Sequence, residues 1–174
     1  MRTCLFDIES THLKANFGHM ICAVVKEYHR RRPCIYIVKG TDDKKLCVKL
    51  RNKLEKYDII VGHYSKKFDV PFLNTRLFLQ GEQRKKKQFH LDTCFLSRAK
   101  FALNSNRLDM LAKSMELDVQ KTGILPRIWN DAALGDDEAI KYVVDHCVKD
   151  VLVLEKVYSR MLELGFIDTI RKES

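Results

Sequence analysis

The hydrophobic period of this chain first changes near residue 41, and that change limits the folds open to it. Before it, segments 3–8, 19–26 and 33–38 are rich in β-branched, aromatic and other apolar residues and read as strands. The short links between them favour antiparallel pairing. After it, Leu46, Leu50 and Leu54 recur every four residues, so 43–56 reads as an amphipathic helix starting at Thr41-Asp42-Asp43. A buried strand at 58–61, a helix at 70–79 with Pro71 in its first turn, a brief strand at 89–91 and a helix at 93–101 follow. Further on, Leu108, Leu111, Ala112 and Met115 share one helical face, and 137–149 and 151–164 form one bent helix or two abutting ones. Three early strands followed by strand–helix alternation predict an α/β sandwich with a mixed sheet. No repeat, Gly/Ser linker or low-complexity run breaks the 174 residues, so a single domain over 1–174 is expected.

Charge narrows the partners. Lysine and arginine outnumber aspartate and glutamate 32 to 23, a net charge of +9. Such an excess suits a polyanion, because phosphate contacts release condensed counterions; a solvated surface explains the same excess. No window has the apolar length to span a bilayer, so no membrane association is expected. The opening Met1-Arg2-Thr3-Cys4-Leu5-Phe6-Asp7 meets an acid too early for a signal peptide and reads as a first strand. The six cysteines, at 4, 22, 34, 47, 94 and 147, show no zinc-ligand spacing and fit buried thiols in a reducing cytoplasm.

Three groups of acidic residues carry candidate chemistry. Asp7 and Glu9 lie two apart at the end of the first strand, so their carboxylates point to one side, as a hard divalent cation requires. Asp69 stands just before a helix, flanked by Phe68, Phe72 and Leu73, where a helix N-cap is an equal reading. Asp150 shares a helical face with His146, four residues earlier. Asp150 can hold a metal while His146 takes a proton from water, a task that the ordinary imidazole pKa near 6.5 suits. Each group alone is commonplace.

Together they are more specific. Asp7 and Glu9, then Phe68-Asp69-Val70-Pro71-Phe72-Leu73, then Asp150, resemble the three exonuclease motifs of the DEDD superfamily of 3′–5′ exonucleases, in the same order and on the expected elements. The chain is similar in particular to the free-standing predicted exonucleases of the RNase_H_2 type, known from prokaryotes and their viruses. Stretches like His90-Leu91-Asp92-Thr93, Ser105-Asn106-Arg107-Leu108-Asp109 and Ile128-Trp129-Asn130 recur in them.

The resemblance implies a ribonuclease H-like fold: a five-stranded sheet, its first three strands antiparallel, with helices on both faces. It implies two magnesium or manganese ions held by Asp7, Glu9, Asp69 and Asp150, roughly 4 Å apart, one activating water and one stabilising the leaving 3′ oxygen. The substrate would be DNA or RNA with a 3′ end, and the products nucleoside 5′-monophosphates. Two positions depart from the pattern. The superfamily uses a histidine five residues before the last aspartate, or a tyrosine four before it. Here the residue four before is His146 and the residue five before is Asp145, so His146 takes the role of general base. The polymerase version of the second motif usually has asparagine where Tyr64 stands, which bears on contact with the strand there.

Lys66 and Lys67 directly precede Asp69 and are candidates for phosphate contact. Arg84-Lys85-Lys86-Lys87 reads as a phosphate track or a solvated loop. Asn106 and Arg107, with Ser105, Lys121 and Thr122, offer hydrogen-bond donors to substrate or serve as caps and loop polars. Asp92 supports the site or caps a helix. Trp129 stacks on a base or anchors a loop. His63 and His90 have no assignment. Beside the exonuclease stand a ribonuclease H-type endonuclease and a catalytically silent module that binds nucleic acid or a replication partner. Four intact carboxylates argue against the silent reading.

Overall fold

A computed structural model describes residues 1–118 and 125–168; Lys121 and Thr122 lie outside the described residues. The five strands are β1 (Thr3–Ser10), β2 (Met20–Glu27), β3 (Cys34–Ile37), β4 (Ile59–Gly62) and β5 (Phe89–Asp92). They form one sheet in the order β3-β2-β1-β4-β5. β1 with β2 and β2 with β3 are antiparallel, whereas β4 pairs parallel to both β1 and β5. The mixed sheet and the antiparallel first three strands are those expected from the sequence.

The side-chain period of two decides which helices meet which strand residues. Cys4, Phe6 and Ile8 of β1, with Ala23, Val25 and Ile60, pack against α1 (Lys44–Leu54) and α2 (Asp69–Leu79) through Leu46, Leu50, Leu54, Phe72, Leu73 and Leu77. Leu5 points the other way and, with Cys22, Val24, Ile59 and Val61, meets the second helical layer. That layer comprises α4 (Leu108–Ser114), α5 (Pro126–Ala133) and α6 (Asp137–Glu163), and α3 (Thr93–Lys100) follows β5. Each large side chain buried in these two layers contributes about 1.5–3 kcal/mol by leaving water.

The last 27-residue helix, α6, is continuous rather than two abutting pieces. No glycine or proline interrupts it, and Val143, Cys147, Val151, Leu154, Tyr158 and Met161 keep one face buried throughout. Asp136 caps its start by accepting the Ala139 N–H at 2.8 Å. It ends where Gly165 takes the left-handed conformation at φ 74°.

Asp43 precedes α1 as expected but does not cap it with its side chain. Its carboxylate is fully buried, and a buried charge needs partners. Arg76 supplies Nε at 3.0 Å and Nη2 at 2.8 Å, Gln80 supplies Nε2 at 2.6 Å and Met20 its N–H at 2.8 Å. This network ties the start of β2 to both α1 and α2. The cysteines are all free; five are buried as expected, but Cys34 is exposed on the edge strand β3.

Gly62 ends β4 where the chain must pass close to itself. A Cβ there would overlap the side chain of Ser65, which is fully buried and bonds the His90 ring at 2.8 Å. Gly62→Ala should therefore cost about 1–3 kcal/mol, the usual cost of forcing a packed neighbour aside. Chemical denaturation checks this, and an unchanged midpoint would show that the 63–68 connection yields freely.

Candidate active site

Asp7 and Glu9 alternate with Phe6 and Ile8, so they share the face of Leu5, the face that α6 covers. α6 therefore delivers its own side chains to them. His146 Nε2 lies 3.4 Å from Asp150 Oδ2 and 3.9 Å from Glu9 Oε1, between the helix carboxylate and the strand carboxylate. Cys147, one residue on, is fully buried and donates its thiol to Asp7 Oδ2 at 3.4 Å.

Asp69 arrives from the opposite layer. It is the first residue of α2 rather than the residue before it, and Phe68 occupies the cap position. Its Oδ1 accepts the Ile8 N–H at 3.1 Å. The reason lies in the sheet: β1 pairs with β4 only as far as Leu5 and Val61, so the Ile8 N–H continues past the last ladder bond and needs an acceptor. A single side chain thus fixes the strand between Asp7 and Glu9.

Ligand atoms of Asp7, Glu9 and Cys147 lie within 4.8 Å of one another, as do those of Glu9, His146 and Asp150. Asp69 belongs to neither group but is near enough to raise the carboxyl pKa of both Asp7 and Glu9. Burial is the larger cause of those two shifts; for Asp7, repulsion from Asp69, Glu9 and Asp150 adds to it. Burial pushes Asp69 up to about 7, against the opposing pull of its backbone hydrogen bonds. It also raises Asp150, which His146 draws back down while Asp109 pushes it further up. Burial is thus the main cause of the raised pKa in all four carboxyls, with repulsion from neighbouring carboxylates adding to it.

Asp92 organises the neighbouring loop. Its carboxylate caps α3 through the Cys94 and Phe95 N–H groups and also accepts the Tyr64 and Lys66 N–H groups, each at 2.9 Å. The helix-cap reading offered from sequence therefore holds, and the same side chain also anchors the loop that leads to Asp69. Lys66 and Lys67 are exposed on this loop, two to three residues before Asp69. Tyr64 is held with φ at 62° and remains 43% exposed.

The other candidates are more occupied. Asn106 accepts the Ser97 hydroxyl at 2.6 Å on its side-chain oxygen, and its main-chain carbonyl meets His63 Nε2 at 2.9 Å. Arg107 is exposed and lies 3.5 Å from Asp109. In the basic run, Lys85 is buried and bonded to Gln88 and the Lys86 carbonyl, so only Arg84, Lys86 and Lys87 face solvent. His63 and His90 are structural links, to Thr93 and Ser65. Burial lowers both, His90 to about 4, so both are neutral near pH 7. Trp129 lies on α5 and packs against the helical core, so what it anchors is a helix rather than a loop.

Sequence reasoning missed Cys147 and Asp109. The signal for Cys147 was its spacing of three from Asp150, which puts it on the same helical face. Asp109 carries no such signal, since nothing in the linear pattern brings the start of α4 to Asp150.

A mixed five-stranded sheet with helices on both faces and a carboxylate cluster at the end of its first strand defines a ribonuclease H-like protein of the nuclease type. The family profile of RNase_H_2, described as RNase_H superfamily, matches residues 4–162, and the chain belongs to that family. The structure is also similar to that of the family B DNA polymerase from the hyperthermophilic archaeon Pyrobaculum calidifontis, with a TM-score of 0.72 at 19% identity. That likeness covers 95% of this chain but 25% of the polymerase, so the chain spans a quarter of its length. Curated proteins yield no match. Among the described residues no helix is long and apolar enough to cross a membrane.

Proposed function

We propose that the protein is a two-metal-ion 3′–5′ exonuclease that hydrolyses DNA or RNA to nucleoside 5′-monophosphates. The observation that carries this reading is the pair of overlapping ligand groups. Asp7 and Glu9 belong to one and Glu9, His146 and Asp150 to the other, with Glu9 common to both.

The donor set fits magnesium or manganese, hard cations that favour carboxylate oxygens. The soft donor among them, Cys147, is fully buried, and that burial raises its thiol pKa. It therefore stays protonated and orients Asp7 through its hydrogen bond. Asp7, Glu9, Asp69 and Asp150 would hold the two cations, which supply Lewis-acid activation of water and of the leaving oxygen.

The chain's own groups do the rest. His146 sits where it can take a proton from a water placed over Glu9 and Asp150, and the two carboxylates stabilise the imidazolium that forms. Water attacks the phosphorus of the last nucleotide. The bond to the 3′ oxygen of the preceding nucleotide breaks, that oxygen leaves as an alkoxide and takes a proton from solvent, and His146 later returns its proton to solvent. Lys66 and Lys67, on the loop that enters α2, contact backbone phosphates; the 84–87 run lies beside Glu55 at the other end of β5 and is not needed for that contact. Asn106 and Arg107 line the approach near α4. Buried free thiols suit a cytoplasmic setting, and the chain reads as a single domain over 1–174.

The test is digestion of 5′-labelled single strands of DNA and RNA with magnesium, manganese or chelator. Stepwise shortening of the label-bearing strand is expected with either metal and none with chelator. Internal cuts of a DNA–RNA hybrid without 3′ trimming would support the endonuclease reading instead, and binding without cleavage the silent one.

A further inference from the structure

The loop that leads into Asp69 carries a stack that the metal chemistry does not use. The Tyr64 ring lies over Phe95, centroids 6.0 Å apart and planes within 24°. The Arg98 guanidinium sits 5.5 Å from the Tyr64 centroid and 5.8 Å from that of Phe95. Phe95 and Arg98 are three apart on α3 and so share one face of it.

The stack is held in place. Tyr64 adopts a left-handed backbone conformation that a bulky residue rarely takes, and Asp92 fixes it there by accepting the N–H groups of residues 64 and 66. Ser65, between them, is fully buried. The ring nevertheless remains 43% exposed rather than folded into the core, and Arg98 is exposed without a carboxylate partner among the described residues. The segment carrying the ring runs on directly into Asp69, with Phe68 N bonded to the Tyr64 carbonyl at 3.0 Å.

An exposed ring backed by a second ring and a cation is a platform for the face of a nucleobase, and the guanidinium beside it matches a phosphate. Base faces are open only where the strand is unpaired and unstacked. We propose that Tyr64, backed by Phe95 and Arg98, receives one base of a single-stranded substrate near its 3′ end, with Arg98 on the adjoining phosphate. The protein therefore selects single strands bearing a base at that position, whatever its sequence. This inference rests on the nuclease reading for the direction of the strand.

Binding in chelator at low salt tests it apart from cleavage. Fluorescence anisotropy is measured on labelled single-stranded DNA and RNA oligonucleotides carrying one abasic nucleotide, moved stepwise from the 3′ end; the tighter-binding series decides. One or two positions near the 3′ end should weaken binding about tenfold, the scale of losing one stacked base. Tyr64→Ala should weaken the intact strand by a similar factor and erase the abasic penalty, while Tyr64→Phe retains both. Arg98→Ala should weaken binding and lower the salt slope by about one. A flat abasic scan, or a folded Tyr64→Ala variant that binds like the parent, would overturn the platform. If Tyr64→Ala fails to fold, the scan on the parent and Arg98→Ala still decide. Cleavage without a positional penalty overturns the platform alone. A positional penalty without cleavage overturns the nuclease reading alone, and no saturable binding overturns both.

Discussion

Asp7→Ala should abolish strand cleavage, by about a thousandfold or more, with the fold retained. Losing a ligand of the two-cation site removes several kcal/mol of stabilisation of the reacting charges, and each 1.36 kcal/mol is a factor of ten in rate. The fold survives because the cluster opposes it. Burial holds the carboxyls of Asp7, Glu9, Asp69 and Asp150 above their ordinary values, and for Asp7 and Glu9 repulsion from the other carboxylates of the cluster adds to it. A group whose folded pKa is raised contributes stability that is full below its unfolded pKa, about 4 for a carboxyl, and lost as pH rises through the folded value. For Asp69 the loss runs from about 4 up to about 7 and is complete above that. In chelator the protein should therefore melt several degrees lower at pH 8 than at pH 5, and magnesium should restore part of the difference.

Asp7→Asn separates the two effects. It keeps the shape and removes a charge, so it should raise the melting temperature in chelator at pH 8 while leaving no cleavage. Thermal melts with and without magnesium, beside the digestion assay, read both. A variant that melts normally and cuts at near-normal rate would remove Asp7 from the site.

What was legible in the sequence follows from range. Alternation in β1 and the spacing of Leu46, Leu50 and Leu54 are local patterns, and they place strands and helices because backbone geometry imposes them. The sheet order is another matter: short links favour antiparallel pairing of the first three strands, but β4 beside β1 and β5 outside it are long-range pairings that no local pattern reports. Asp7, Glu9 and Asp150 were visible because strand and helix periods orient side chains regularly. Asp69 was visible as a residue but not as the acceptor of the Ile8 N–H, which depends on where β4 stops pairing with β1. The Asp43 network was read as a helix start for the same reason: Arg76 and Gln80 lie more than thirty residues away. Lys85 looked like one of four equivalent cations and is buried because Gln88 and a neighbouring carbonyl satisfy it locally. Linear pattern reports the face of an element; it does not report which distant group meets that face.

His146→Ala should lower turnover by about a hundredfold or more, the scale of losing a positioned base. The histidine lies 3.4 Å from Asp150 and 3.9 Å from Glu9, a placement that also suits a metal ligand. The two roles part in their dependence on metal. If His146 is a base, the variant is slow at every magnesium concentration and the concentration for half-maximal rate is unchanged. If it is a ligand, that concentration rises and excess magnesium recovers the rate. The acid limb of the rate profile gives a second separation. Protons and cations compete for carboxylates, so a limb set by the metal site shifts to lower pH as magnesium is raised. A limb set by a base that holds no cation stays where it is and disappears in His146→Ala. His146→Tyr places at this spacing the residue that one branch of the superfamily uses, and it should keep part of the activity that alanine loses. Full activity of His146→Ala at neutral pH with an unchanged acid limb would take His146 out of the reaction and leave proton removal to solvent.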